Sequence, residues 1–578
     1  MAHDDRKQSK VEAAKSASRG LRGSIDETIE SGATHFGADD IQVLKFHGIY
    51  QQDDRDTRND RRKEGMEPEY SFMVRVAIPG GSLTGEQYLA LDALADEFAN
   101  GTLRITTRQA IQFHGVLIGD LKTQIAGIHE RLMTTIGACG DVQRNVMTCP
   151  APIDDAPHLA VRALARDLAA NLRPETRAYH EIWLGEEKVV STQRHESFYG
   201  EAYLPRKFKV AVALDTDNCV DVYSCDCGLI AITREQHIEG YQVLVGGGMG
   251  LSHEKASTFA RLASPLGFVS PEHAIDAVRL VAEIFRDHGN RADRKHARLK
   301  YLIEEWGLDT FRAEFRKRAP FEVAPPREIA GPAYHDHLGP HAADRQQSFY
   351  GVYVENGRIA DRDGRALRST LRDIVRSTGA NVGLTAQQNL LLTGLSGEGI
   401  AQVESALLAA GLTLPAAIAP MRRHSMACPA LPTCGLAITE SERVMPQAMD
   451  ALESLFRSLG VENEPLTVRM TGCPNGCARP YTADIAFVGR KPGERYNVYV
   501  GGGLAGDRVA DLYAADVHFG DFVATLSPLV RAWARTRRPN EGLSEFYHRI
   551  AETEAPRQKM TGAEIPTGGR ISLEVLSR

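Results

Sequence analysis

The chain runs through the same series of features twice, and a duplicated chain must fold into two related halves. The first pass opens with the apolar alternation "SFMVRVAI", a "PGG" turn and the helical stretch "LTGEQYLALDALADEFANG". In that stretch Thr84 and Gln87 predict a capping box, Tyr88, Leu91, Leu94, Ala95 and Phe98 form the apolar stripe, and Gly101 closes the run. "LRITTRQAIQFHG" then reads as a strand. The second pass has "SFYGVYVENGR", a helix with Leu367, Leu371, Ile374 and Val375 on one face and Gly379 at its end, and then "VGLTAQQNLLLTG". Setting Arg108 against Gln387 lays Thr106 on Thr385, Gln109 on Gln388 and Gly115 on Gly394. The same offset lays "RNVMTCP", from Arg144, on "RHSMACP", from Arg423, and at a shorter offset "YQVLVGGGMG" matches "YNVYVGGGLAG". These ordered agreements predict an α/β protein of two half-molecules about a pseudo-twofold axis, with mixed sheets and helices on their faces.

At 578 residues the chain exceeds what a single hydrophobic core can organise, so several domains are expected. A net charge of −7 argues against a nucleic-acid or membrane-surface footprint. No apolar run approaches the roughly 20 residues of a bilayer span. "MAHDDRKQSK" lacks a secretory apolar core, so a cytoplasmic location is expected. Residues 1 to about 40 are polar with few aromatics and predict a mobile arm, ordered structure beginning near "LKFHGIYQQDDRD".

In a reducing compartment clustered cysteines favour metal ligation over disulfides. Cys428 and Cys434 stand in "ACPALPTC", Cys473 and Cys477 in "TGCPNGCARP". Thiolates select zinc, copper(I) or iron–sulfur clusters. The C-x₅-C spacing fits a zinc knuckle poorly, whereas a [4Fe–4S] cube tolerates it; C-x₃-C does not exclude zinc. Four inert buried thiols are the plain alternative, and the Gly- and Pro-rich turns argue against it. Cys149 aligns with Cys428 in the duplication. Cys219, Cys225 and Cys227, in "NCVDVYSCDCG", read as small apolar side chains on a strand rather than ligands. "GGGLAG" satisfies G-x-G-x-x-G, but "DRVADLYAAD" after it shows neither a convincing second strand nor its acidic residue. It reads as a glycine turn, with no nicotinamide site.

Period-two alternation places Arg104, Thr106, Arg108, Gln112 and His114 on one face, and Lys207 and Lys209 on one face of "LPRKFKVAV" with Phe208 opposite. Such faces would suit a ligand bearing many carboxylates. In the second copy Gly383, Gln387 and Thr393 replace Arg104, Arg108 and His114, so the first half is expected to supply the cationic pocket.

"SMACPALPTCGLAITESER" followed by "VRMTGCPNGCARPYTADIAFVG" resembles the paired signature of the sirohaem-containing sulfite and nitrite reductases. The likeness extends from about residue 44 through "KFHGIYQQDDRD", "TTRQAIQFHG", "LPRKFK" and both glycine turns. It implies that family's duplicated three-domain fold. Residues 1–62 would be an arm that wraps the haem or a partner, and 63–137 with 345–420 the paired ferredoxin-like half-domains. Residues 138–344 would form the first sirohaem- and substrate-binding domain, and 421–578 the cluster domain. The resemblance implies that Cys428, Cys434, Cys473 and Cys477 ligate one [4Fe–4S] cluster, with Cys477 bridging to the sirohaem iron. It implies that Arg75, Arg144, Lys207 and Lys209 surround the substrate anion, and that Arg104, Arg108, His114 and Arg206 meet the sirohaem. The implied activity is six-electron reduction of sulfite to sulfide in sulfate assimilation and cysteine biosynthesis. Electrons would come from a flavoprotein carrying NADPH, FAD and FMN, or alternatively from ferredoxin, and nitrite is the alternative substrate. A reading from another class is a non-catalytic iron–sulfur or zinc scaffold, which needs no tetrapyrrole.

Overall fold

Each copy of the repeat makes an antiparallel hairpin. Leu103–Ile105 and Ile111–Val116 pair around a turn in which Gln109 takes a left-handed backbone, φ 53°. Asn381–Leu384 and Leu390–Leu395 pair around Gln388, φ 69°. "LRITTRQAIQFHG" is therefore two strands, not the single strand expected. The reason is local: Thr106 Oγ1 accepts the N–H groups of Arg108 (3.2 Å) and Ala110 (3.1 Å), and Thr385 Oγ1 accepts that of Asn389 (3.0 Å). A side chain that satisfies the backbone of its own turn competes with an extended strand.

In this computed structural model the described residues are 8–174, 181–184, 187–191, 196–329, 331, 333–341 and 348–560. Parts of the expected arm (1–7) and last domain (561–578), and the boundary at 345, lie outside them. One sheet has the strand order Ile49–Asp53, Tyr70–Val76, Ile111–Val116, Leu103–Ile105, Arg358–Ile359. Its counterpart runs Gly339–His341, Ser348–Val352, Leu390–Leu395, Asn381–Leu384, Ser82–Leu83. Each sheet thus takes its last strand from the other copy: Arg358–Ile359 pairs with Arg104 and Leu103, while Ser82–Leu83 pairs with Gly383 and Val382. This reciprocal exchange makes one core of both copies, where Phe72, Leu91 and Phe113 pack with Tyr350, Leu371 and Leu392. The helix Gly85–Phe98 starts with the expected Thr84–Gln87 capping box, and Leu367–Thr378 ends on Gly379 in the left-handed conformation.

Two further cores flank this one. Val210–Leu214, Cys227–Arg234, His237–Val245 and Ser264–Val269 form a mixed sheet covered by Ala156–Asn171 and Ala274–His288. Ser425–Ala427, Val468–Thr471, Ile485–Lys491, Arg495–Val500 and Asp511–His518 form its counterpart, covered by Met445–Ser458 and Phe522–Thr536. In the latter, Phe487 stacks on Phe522 with centroids 3.8 Å apart.

From residue 8 the N-terminal stretch is folded, contrary to the mobile arm expected. It forms the helices Lys10–Ser16, Ile25–Glu30 and Ala38–Leu44, and Leu21 and Phe36 enter the cores. Lys15 is buried, 2.5 Å from Glu12 and donating to the Leu204 carbonyl at 2.9 Å, and Arg291 closes on Glu12 at 2.5 Å. Its polar composition reads as solvated, but several of those charges are buried as partners of one another.

Candidate functional site

Ser425–Ala427 and Val468–Thr471 are adjacent parallel strands, so they end at the same sheet edge and deliver the two cysteine loops side by side. The Cys428 N–H donates to the Met470 carbonyl at 3.2 Å, and the Gly472 N–H lies 3.4 Å from Cys428 Sγ. Gly472 is needed for this approach, since a Cβ there would lie 2.4 Å from the Thr439 carbonyl oxygen. Cys434 is held by a turn onto Ala430, and Arg55 Nη1 donates to the carbonyls of Cys434 and Ala437, each at 3.1 Å. Cys428 and Cys473 are buried, Cys434 is half-buried and Cys477 is exposed. Burial, and then the Cys477 charge, pushes the Cys428 thiol up to about 12 and raises Cys434 and Cys473 as well. The two parallel strands thus bring all four thiols to loops at one end of the sheet. Four thiolates there would require a strongly cationic partner, as an iron–sulfur core is.

The first half packs directly on this turn. Thr107 Oγ1 donates to the Cys477 carbonyl at 2.8 Å, and the Leu251 N–H donates to the Pro474 carbonyl at 2.9 Å. The glycine runs let the halves approach, since a Cβ on Gly250 would lie 3.0 Å from the Asn475 carbonyl oxygen and one on Gly506 2.5 Å from Asp221 Oδ1; they also make tight turns within each half. A Cβ on Gly247 would lie 2.3 Å from the Tyr223 carbonyl oxygen. The N–H groups of Gly246, Gly248, Gly502 and Gly503 donate to the carbonyls of Asp226, Arg261, Ala483 and Thr482. After "GGGLAG" the chain enters the strand Asp511–His518, antiparallel to Arg495–Val500, so the sequence expectation of no second strand is corrected. A hairpin connection opens no helix towards a phosphate.

The cationic face survives the change from strand to hairpin. Arg75, Gln112, Arg104 and Arg358 stand directly opposite one another on four neighbouring strands. Arg104 Nε donates to Glu442 at 2.9 Å and its Nη2 to the Ala427 carbonyl at 2.8 Å, so it braces the residue before Cys428. Arg358 joins Glu442 at 2.7 Å and 3.0 Å. His114 is buried with Nδ1 3.3 Å from Gln52 Oε1, and its Nε2 has no partner among the described residues. Burial, and then the Arg358 and Arg104 charges, hold it well below 6.5, hence neutral.

Arg75 Nη1 donates to Cys139 Sγ at 2.8 Å, and Cys477 is among the groups acting on its charge. Arg108, in the hairpin turn, reaches the carbonyls of Asn145 (2.5 Å) and Val210 (3.0 Å) and leaves its buried Nε without a partner. Arg144 is fixed by the carbonyls of Gly140 (2.7 Å) and Ala138 (3.3 Å). Arg206 lies 3.8 Å from Asp141. Lys207 and Lys209 flank the buried Phe208, which makes a single bridge to Gln143, so they precede the strand Val210–Leu214 instead of lying in one as expected; both are half-buried, and neither ammonium has a hydrogen bond or ion pair among the described residues. Burial, then Lys209, Arg206, Arg298 and Arg144, holds Lys207 well below its ordinary value, while burial with Arg298 and Arg108 lowers Lys209 to about 7. These cations therefore share one region.

Several contributors carry no signal in residue spacing: Glu442, Arg358, Arg55 and Thr107. Arg479 had one. It takes the same left-handed conformation as Asp221 (φ 52° and 49°), each before a short 3₁₀ turn, Pro480–Thr482 and Val222–Ser224. The two side chains pair with one another, and Arg479 also donates to the carbonyls of Thr107 (2.7 Å) and Ala386 (2.9 Å). Laying "GCARPYT" on "NCVDVYS" would have revealed the charge reversal. Of Cys219, Cys225 and Cys227, only Cys227 lies in a strand, which corrects the expectation for the other two.

Residues 165–323 and 419–558 match the family model "Nitrite and sulphite reductase 4Fe-4S domain", and residues 64–131 match "Nitrite/Sulfite reductase ferredoxin-like half domain". The chain belongs to the nitrite and sulphite reductase family. It is similar, at 44% identity over 96% of its length and 99% of the relative's, to the Sulfite reductase [NADPH] hemoprotein beta-component of Myxococcus xanthus. The protein of that name from Chromohalobacter salexigens is also 44% identical, over 93% of this chain and 95% of its own. The fold is that of the Mycobacterium tuberculosis NirA protein, with a TM-score of 0.73 at 24% identity over 93% of this chain and 95% of that one. Among the described residues no helix is long and apolar enough to cross a membrane.

Proposed function

We propose that the chain reduces sulfite to sulfide with six electrons at a sirohaem coupled to a [4Fe–4S] cluster, as the haemoprotein component of an NADPH-dependent enzyme. The observation that carries this reading is the meeting of two cysteine loops at one sheet edge, against the cationic half of the molecule. Family membership and the relatives' shared name support it. A zinc scaffold would have no use for two half-buried lysines of the other half that have no ion-pair partner among the described residues.

The donor set fits the two cofactors. Cys428, Cys434, Cys473 and Cys477 would hold the cluster. Cys477, exposed on a turn tied to Thr107, would be the cysteine that faces the sirohaem. The unpartnered His114 Nε2 and Arg108 Nε, with Arg104 and Arg206 behind them, would line the macrocycle and its carboxylates. When bound, the two cofactors store electrons, deliver them singly and supply the centre at which sulfur–oxygen bonds break.

The chain's own work is anion binding and proton supply. Arg75 and Arg144, their guanidiniums anchored on Cys139 and on the carbonyls of 138 and 140, would orient the sulfite oxygens. Each oxygen leaves as water, so protons must arrive with the electrons. Lys209, lowered to about 7, can hold a proton at Nζ near neutral pH and release it. Lys207 beside it, whose charged form burial and the neighbouring cations disfavour, would take up its charge most readily when an anion enters.

Electrons would come from a flavoprotein partner carrying NADPH, FAD and FMN, since the glycine runs are occupied with packing. Protein made with sirohaem available should contain iron and labile sulfide in the ratio of one [4Fe–4S] cluster plus one sirohaem iron. It should reduce sulfite with reduced viologen, and with NADPH only when the flavoprotein is added. Zinc in place of iron, with no tetrapyrrole absorption, would overturn the reading. Turnover with ferredoxin alone would replace the donor, and faster turnover of nitrite than sulfite would replace the substrate.

A further inference from the structure

The duplication provides a counterpart for the cluster loops in the first half, and that counterpart is not empty of ligating groups. Cys149 is the counterpart of Cys428 by sequence register. Cys219 is the counterpart of Cys477, since each stands two residues before the left-handed residue, Asp221 or Arg479, that opens a 3₁₀ turn. In the second half these thiols belong to the cluster loops. In the first half they meet Asp217 and His337. One ligand atom from each of Cys149, Asp217, Cys219 and His337 lies within 4.8 Å of all the others, and all four residues are buried.

The details are those of a closed cage. Cys149 Sγ is 3.2 Å from His337 Nε2, which is 3.5 Å from Asp217 Oδ2. Zinc bonds of about 2.0–2.3 Å at tetrahedral angles place neighbouring donor atoms roughly 3.3–3.8 Å apart. Asp217 is 6% exposed, and its shielded Oδ2 accepts no hydrogen bond, whereas its Oδ1 accepts the Cys219 N–H at 3.0 Å. Without an ion the charge of that oxygen is met by His337 when its imidazole is protonated, and a divalent ion would take the imidazolium's place.

The donors come from three separate stretches, each pinned from outside. Asn218 Nδ2 donates to the Ala505 carbonyl at 2.7 Å and Oδ1 accepts the Val222 N–H at 2.8 Å, while the Asn218 N–H donates to the Ala333 carbonyl at 2.9 Å. Asp336, beside His337, is clamped by Arg423 at 2.8 Å and 2.9 Å. Cys149 precedes Pro150 and Ala151, and Arg162 donates to the Ala151 carbonyl and to that of Ile153 at 2.8 Å. The Arg162 guanidinium lies close enough to interact with Cys149. It would balance the single excess negative charge left by two thiolates and a carboxylate around a divalent ion.

We propose that Cys149, Cys219, Asp217 and His337 form a second metal site that holds one zinc ion, structural and closed, at the pseudo-symmetric counterpart of the iron–sulfur site. Two thiolates, an imidazole and a carboxylate make a full tetrahedral set for zinc, with no position left for water. Binding releases the thiol protons and cross-links the 217–219 turn, the stretch after Met147 and the 333–338 segment. The same small core contains Phe349, Ala386 and Leu391 of the second copy, so the ion would hold the junction of both copies.

The test is elemental analysis of the sirohaem-loaded holoprotein, grown with added zinc sulfate and passed over a weak chelator. One zinc per chain is expected in addition to the iron, with X-ray absorption at the zinc edge showing two sulfur and two nitrogen or oxygen neighbours. Cys149→Ala, Cys219→Ala and Asp217→Asn should each lower the zinc at least tenfold with iron retained, whereas Cys428→Ala should lose cluster iron and keep the zinc. Less than one-tenth zinc per chain in the unmutated holoprotein would overturn the proposal, and that result needs no variant to fold. So would a Cys149–Cys219 disulfide in mass spectra, or zinc surrounded by four sulfurs and lost with Cys428→Ala. The last outcome would also count against the iron–sulfur reading, whereas the first two leave it untouched.

Discussion

Replacing Glu442 by Gln removes one charge from the point where both copies grip the cluster loop. The Glu442 carboxylate takes Arg104 at 2.9 Å and Arg358 at 2.7 Å and 3.0 Å, and its own N–H donates to the Cys428 carbonyl at 3.1 Å. Burial would raise this carboxyl, but Arg358 and then Arg104 overcome it and hold it at about 2, against 4.5 for an ordinary glutamate. At about 1.4 kcal/mol for each tenfold change, the ionised form contributes roughly 3 kcal/mol to the fold. A depressed carboxylate contributes above its unfolded value of 4.5 and loses that contribution as pH falls towards about 2, so at pH 7 it is fully present. Glu442→Gln should therefore cost about 3 kcal/mol at pH 7, or about 6–12 °C in the melting midpoint of a unit of this size. Asp516→Asn is the control. It breaks exposed pairs with Lys491 and Arg495 and should leave the midpoint nearly unchanged. Both midpoints would be followed by near-ultraviolet circular dichroism alongside iron content, which should fall in Glu442→Gln as Ala427 loses its brace. Equal midpoints for the two variants would refute the view that this buried network holds the cluster loop.

Four further outcomes follow from the geometry. Lys207→Met and Lys209→Met should each lower kcat/KM for sulfite about ten- to a hundredfold, the loss of one charge-assisted hydrogen bond of roughly 1.5–3 kcal/mol, with sirohaem and iron content unchanged; normal kinetics at full occupancy would return these lysines to a passive surface. Because Lys209 is protonated only below about 7, kcat/KM should fall as pH rises through that value, and the break should vanish in Lys209→Met, whereas a break due to sulfite's own ionisation would persist in both. Cys477→Ser should alter the sirohaem spectrum and the cluster signal together, and an unchanged spectrum of either would remove Cys477 from the bridging position. Gly472→Ala must push the Thr439 carbonyl away from 2.4 Å, so it should cost about 1–3 kcal/mol and lower cluster occupancy; wild-type iron content and midpoint would show that the loops have room to spare.

What could be read beforehand was local or repeated. The Thr84–Gln87 box and the Gly379 cap involve residues three or four apart, and the structure has both. The cationic face was visible although the topology behind it was misread. Arg104 pairs directly with Gln112, and paired residues of an antiparallel hairpin point to the same side. Folding the stretch back on itself therefore left Arg104, Gln112 and His114 together, as a straight strand would. Spacing could not reveal partners hundreds of positions away. Glu442 gathers Arg104 and Arg358, and Lys15 finds Asp141 and the Leu204 carbonyl, so buried charges looked like solvated ones.

The exchanged strands explain why the two copies could diverge without separating. Ser82–Leu83 completes the second copy's sheet and Arg358–Ile359 completes the first's, so neither sheet is whole without the other. Once locked together, matched positions no longer needed to match in chemistry. The first copy kept Arg104, Arg108 and His114 where the second has Gly383, Gln387 and Thr393, and the second kept two cysteine loops where the first has one thiol from each. The clearest trace lies at the matched turns themselves, where Asp221 and Arg479, alike in backbone and opposite in charge, bind each other. Two identical residues there would have repelled or left a buried group unpaired. The reversal turns the weakest point of a symmetric dimer-like fold into a joint, beside the turn that presents Cys477 to the cations of the other half.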